Sequence, residues 1–140
     1  MIQKTSVMQQ LSAKREAKYL LAMGRVMLGL YFLLPGIMKF ISWDTHVALM
    51  AKHQMVAIEP LLAIAAVVQI VAGLLLIANR YVAIVALGLA LMVLVINVCL
   101  HDFWNLSGLE AAHEMQNFVK NLGIFAGLLV LGGHYRSQAR

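Results

Sequence analysis

Charge is scarce in this sequence, and so is cysteine. Only 12% of its 140 residues are Asp, Glu, Lys or Arg, while 62% are hydrophobic, against roughly 25% and 45–50% in ordinary soluble domains. A soluble core of this size cannot hide that much apolar surface. Cys99 is the single cysteine, which excludes an intramolecular disulfide and any dithiol relay built from this chain alone. There is no low-complexity tract, no convincing repeat, no Cys-x-x-Cys pair, no phosphate-cradling glycine loop and no arrangement resembling a nucleophilic triad. The net charge is +5, but the basic residues sit at the ends of apolar runs instead of forming an aromatic-studded basic surface. They therefore point to lipid headgroups and away from nucleic acid.

What remains is an all-α pattern for an integral membrane four-helix bundle. Four runs approach or exceed the ~20 apolar residues that cross a ~30 Å hydrocarbon core: 19–40, 60–78, 81–100 and the shortest, 118–133. Pro60 suits the first turn of its helix, and Asn79-Arg80 reads as a two-residue turn that makes the second and third spans antiparallel neighbours. Residues 1–18 form a polar N-terminal segment, expected to be disordered or to lie on the membrane surface. Lys4, Lys14, Arg15 and Lys18 precede the first run as in a secretory signal, but that run is too long and has no small-residue cleavage site. The first span is therefore read as retained, the spanning domain as 19–134, and 135–140 as a basic tail.

Lys4, Lys14, Arg15, Lys18, Arg25, Arg80, Arg136 and Arg140 gather on one side, against Lys39, Lys52 and Lys120 on the other. By the positive-inside rule both termini are cytoplasmic. Asp44, Glu59, Asp102, Glu110 and Glu114 all fall on the opposite, outer side. Small residues mark packing seams: Gly123 and Gly127 in the fourth span and Ala86 and Ala90 in the third, read as packing within the bundle ahead of a dimer seam.

Polar side chains inside a span are expensive and become functional candidates by default. Arg25 lies near the start of the first span, where a side chain leaning toward the helix N-terminus can snorkel to the headgroups. Lys39 closes the same span just after Pro35-Gly36, and the same lean turns it inward. It needs a partner such as Asp102, Glu59 or a ligand anion. Gln69 is the deepest polar residue, suited to an interhelical hydrogen bond or to a ligand headgroup.

Asn97, His101 and Trp104 recur at four- and three-residue spacing, so they share a face if the third helix runs one turn past Leu100. A His beside a carboxylate, here Asp102, at a membrane boundary is suited to passing protons to a quinone or holding a metal. The plainer reading is an aromatic interfacial belt with His101 capping the helix. Asn117, Lys120 and Asn121 enter the fourth span on the same side and are placed to meet this cluster. His46, Met50 and His53 follow an i, i+4, i+7 pattern of soft ligands that suits copper, a weak reading in a chain with nine Met. Cys99 reads as a buried small residue.

The order Gly24-Arg25, Gly36, Lys39, a glycine-bearing second span, His101-Asp102-Phe103-Trp104 and Phe118-Val119-Lys120-Asn121 resembles the DoxX family of small bacterial inner-membrane proteins. The resemblance covers roughly 20–133. It implies a four-helix membrane fold and an association with membrane oxidoreductases, whether as a subunit of a thiosulfate:quinone oxidoreductase or in oxidative-stress complexes with superoxide dismutase and a sulfurtransferase. The chain departs from the family in one respect: Gln69 stands where Glu is common, which would impair a proton-carrying role there and leave a hydrogen-bonding one.

The expected function is an accessory subunit of a redox system, more an oxidoreductase-associated subunit than a self-sufficient enzyme. It would bind a quinone or a membrane or periplasmic redox partner near the outer boundary through His101, Asp102, Trp104 and Lys120. Heme and copper are disfavoured as cofactors. The alternatives are a small transporter or channel lined by Arg25, Lys39, Gln69 and Asn97, which four short helices permit only as a homo-oligomer, and a purely structural assembly factor.

Overall fold

The computed structural model describes residues 2–138. Five α-helices follow in order: α1 (Ile2–Ile41), α2 (Trp43–Lys52), α3 (Ile58–Ile77), α4 (Val82–Leu100) and α5 (Gly108–Gln138), with a 3₁₀ turn at Phe103–Asn105. Four of them, α1, α3, α4 and α5, are long and apolar enough to cross a membrane. Among the described residues there is no strand.

The expected spans 60–78 and 81–100 coincide with α3 and α4 to within two residues. The outer two helices are longer than expected. The stretch before Tyr19 continues α1 without a break, neither disordered nor set apart from the span. Its Gln, Lys, Arg, Glu, Ala, Leu and Met residues are strong helix formers, and no Gly or Pro interrupts the helix before Gly24. Ser12 Oγ donates to Glu16 Oε1 at 2.9 Å on this extension. At the other end, α5 begins at Gly108, whose φ of +63° turns the chain into the helix, and its first ten residues carry Glu110, His113, Glu114, Gln116 and Asn117. The short apolar run 118–133 is thus the middle of a 31-residue helix, which also takes in the tail up to Gln138; residues 139 and 140 lie outside the described residues.

The link between α3 and α4 is four residues, Ala78 to Tyr81, rather than two. Asn79 and Tyr81 both take left-handed backbone angles, φ 56° and 53°, so the reversal begins at the C-terminus of α3 and ends at the residue preceding α4. The two helices are antiparallel, yet they touch each other only lightly. The bundle is two tight pairs, α1 with α3 and α4 with α5. The reason is steric. A Cβ on Gly73 would lie 2.7 Å from the carbonyl oxygen of Gly29, and one on Gly36 would lie 3.1 Å from that of Ala66, so glycine alone lets α1 and α3 approach this closely.

In the other pair, Ala86 and Ala90 are buried beside Leu89, Val93, Leu128 and Leu131, as the small-residue seam on α4 implies. Gly123 and Gly127 have nothing within 4 Å of where a Cβ would be. The Gly-x-x-x-Gly step therefore does not pack within the bundle, contrary to expectation; Gly132, facing Leu87, takes that role on α5.

Because Gly36 is level with Ala66 and Ile70, Ile41 ends roughly 7 Å short of the far end of α3 at 1.5 Å per residue. The short helix α2 fills this step against α1 and α3, with Met50 buried beneath it.

Candidate functional site

The start of α1 and the end of α5 lie at the same end of the bundle, together with Arg25 and Arg80; α2, the 3₁₀ turn and the start of α5 form the opposite, loop end. Arg25 is buried, 8% exposed, and is turned onto the end of α3. Its Nη1 donates to the carbonyl oxygens of Leu76 and Ile77, the latter at 2.9 Å. These carbonyls end α3 and carry the negative end of its dipole; that of Leu76 also accepts from Asn79 N at 3.1 Å, and a guanidinium is an apt further cap. Nearby, Tyr135 Oη donates to Asn79 Oδ1 at 2.8 Å, tying α5 to the α3–α4 turn.

Lys39 leans inward as the helix geometry requires, but its partner is not a carboxylate. Nζ donates to Gln69 Oε1 at 2.8 Å. Gln69 is 5% exposed in the middle of α3, and Lys39 is half-buried.

At the loop end two imidazole–carboxylate pairs form. His53 Nδ1 is 2.8 Å from Asp102 Oδ1, whose other oxygen accepts from Asn105 Nδ2 at 2.9 Å. His101 Nδ1 is 2.7 Å from Glu114 Oε2, which also accepts from Asn117 Nδ2 at 3.2 Å. His101 therefore does not pair with its neighbour Asp102. The helix stops at Leu100 and His101 is its C-cap, so the backbone turns between the two residues and sends them to different partners. The proposed common face of Asn97, His101 and Trp104 is broken at the same point. Glu114 was missed because its connection to His101 runs through the 3₁₀ turn; the available signal was an acid four residues before Phe118 at the end where the His residues collect. Lys52 pairs with Glu110. That hydrogen bond and then the carboxylate charge hold the exposed Lys52 ammonium above the usual lysine value.

The remaining candidates make separate contacts. Asn97, 1% exposed, donates from Nδ2 to the carbonyl of Phe118 at 3.0 Å, and its Oδ1 is buried without a partner. Asn121 accepts from Tyr31 Oη at 3.3 Å. Trp104 is 53% exposed and packs edge-on against Phe103 and Phe118, the disposition of an interfacial aromatic. Lys120 is exposed and joins none of these contacts. His46 Nδ1 lies 2.8 Å from its own helix at Ser42 O, while His53 is the C-cap of α2 and turned to Asp102. The soft-ligand face of His46, Met50 and His53 is thus divided among three surroundings. Arg25, Lys39, Gln69, Asn97, His101 and Lys120 do not share one cavity. The site that does assemble is the loop-end cluster, beside a shallow open depression bordered by Glu110, His113, Glu114 and Gln116.

A family model described as DoxX matches residues 20–102, from the apolar part of α1 to just past α4 and more than half of the chain. No curated protein and no solved structure matches it.

Proposed function

Since the chain belongs to the DoxX family, we propose that it is an accessory membrane subunit of a redox system, and that its loop end exchanges protons with a quinone headgroup or presents a docking surface to a redox partner. Positive-inside charge supports termini in the cytoplasm of a bacterial inner membrane and a loop end on the outer face. The observation that carries the reading is the pair of imidazole–carboxylate contacts at one end of the bundle, His53–Asp102 and His101–Glu114, at 2.8 and 2.7 Å.

A carboxylate on Nδ1 fixes the ring and its tautomer, which leaves Nε2 as the nitrogen that takes up or delivers a proton. The two pairs differ in access. The His53 side chain is 5% exposed and that of His101 is 21%, so His101 is the exchanging residue and His53 chiefly holds α2 against the 3₁₀ turn. When a partner oxidoreductase delivers two electrons to a quinone, the headgroup takes up two protons to become the quinol, and it needs such a donor at the membrane boundary. Phe103, Trp104 and Phe118, whose centroids lie within 5.3–6.0 Å of one another, supply an aromatic surface beside it.

Titration of the purified protein in detergent with a short-chain ubiquinone should quench the fluorescence of its two tryptophans, Trp43 and Trp104, saturably, and His101→Ala should weaken that response by about tenfold, the loss of one charge-assisted hydrogen bond. His101→Ala cells should also grow less well under thiosulfate or peroxide stress. An unchanged spectrum together with an unaffected His101→Ala strain removes the proposal.

A further inference from the structure

We propose that Lys39 and Gln69 together form an intramembrane binding site for the carboxylate of a single-chain lipophilic acid. The site is separate from the loop-end His pairs and stands independently of their role.

Lys39 is a cation held inside a membrane-spanning pair of helices beside a neutral amide. Its Nζ meets Gln69 Oε1 at 2.8 Å, and among the described residues no carboxylate lies within 4.0 Å of it. The chain has six acidic residues. Glu16 is bonded to Ser12, Asp102 and Glu114 to imidazoles, and Glu110 to Lys52; Asp44 and Glu59 are exposed at the starts of α2 and α3. None lies in the middle of a span, so a second copy of this chain has no carboxylate to offer at this depth either. An ammonium left in hydrocarbon without an anion is strongly disfavoured, and intramembrane cations are found paired. The missing anion must come from elsewhere.

The donors present define its chemistry. An ammonium carries three N–H groups and one is given to Gln69; the Gln69 amide accepts through Oε1 and retains its two Nε2 hydrogens. A carboxylate has two oxygens and takes one donor from each side chain. Depth selects the carrier. Gln69 is about 16 Å from the start of α3 and about 12 Å from its end at 1.5 Å per residue. A phosphodiester is ionised at every physiological pH and stays with the headgroups, whereas a long-chain acid enters hydrocarbon in its neutral form. Access is lateral: Lys39 is half-buried, not enclosed, in a seam that Gly36 keeps narrow. A slim headgroup reaches into such a seam more readily than a side chain on a bulky packed helix, and the acyl tail remains in lipid.

The test uses the full chain in nanodiscs of phosphatidylcholine, which brings no competing net anion, with labelled oleate as the probe. Oleate should be retained saturably at one per chain, while methyl oleate, which lacks the charge, and acetate, which lacks the tail, should not. Lys39→Met should weaken retention about tenfold or more, as loss of a charge-assisted contact implies. Gln69→Glu, nearly isosteric, should weaken it similarly by supplying a carboxylate from within. Thermal unfolding identifies any variant that fails to fold; a folded Gln69→Glu suffices by itself. Retention unchanged in a folded Gln69→Glu or Lys39→Met protein, equal retention of methyl oleate, or no saturable oleate retention by the unaltered protein overturns the proposal.

Discussion

The two helix pairs are held together by opposite means. Between α1 and α3 the backbones nearly touch, and the seam consists of what is absent: side chains at Gly29, Gly36 and Gly73. Between α4 and α5 the seam is filled by Leu89, Val93, Leu128 and Leu131 around small Ala86 and Ala90. A filled seam tolerates change because neighbouring side chains move, whereas a seam of backbone against backbone has nothing that yields. The polar contacts follow the same division. Close approach of α1 and α3 brings Arg25 onto the carbonyls of α3 and Lys39 onto Gln69, while the α4–α5 pair carries the neutral bond of Asn97 to Phe118.

The comparison breaks most visibly at Gly73. Gly73→Val places a branched side chain against the backbone of Gly29 and Leu33, and should cost about 3 kcal/mol or more, read as loss of folded protein during unfolding in mixed detergent micelles. Next comes Arg25→Ala, which uncaps α3 and should cost roughly 1.5–3 kcal/mol in the same assay, the range for hydrogen bonds to a charged group. Tyr135→Phe, at the same end but on the other pair, should lose about 1 kcal/mol or less. Gly127→Ala sharpens the contrast: its Cβ meets open space inside α5, so the protein should lose nothing and gain up to about 1 kcal/mol from helix propensity. Smallest of all is Lys52→Gln, which removes an exposed contact between α2 and α5 and should lower stability only marginally, with the whole of that small loss already present near neutral pH. Because pairing raises the Lys52 value in the folded protein, its contribution is complete below the ordinary lysine value of about 10.4. It fades as pH climbs through the raised one, and a loss on acidification through neutral pH would contradict the assignment.

Length and hydropathy made α3 and α4 legible almost to the residue, since an apolar run bounded by Pro60, Asn79 and His101 has few other readings. The ends of α1 and α5 were not, because polar helix and polar loop differ only in propensity. The inward lean of Lys39 was legible from helix geometry, but its partner was not. Which residue stands opposite depends on the register between α1 and α3, and that register is set by Gly29, Gly36 and Gly73 fitting one another. The same limit explains Gly123 and Gly127: spacing marks a face able to pack closely and leaves open which neighbour, if any, occupies it. At the loop end adjacency in the sequence suggested a pair of His101 with Asp102, whereas the break after Leu100 sends them to Glu114 and His53.

The unbroken course of α1 has a mechanical consequence. The helix-loosening residue, Pro35, stands near its far end, so Ile2 through Leu34 form a continuous rod of roughly 50 Å at 1.5 Å per residue. Such a rod is a lever whose fulcrum is the glycine seam with α3. A tilt of its membrane portion about that seam grows with distance toward the N-terminal end, whereas movement around Lys39, on the other side of Pro35, is taken up at the loosened turn.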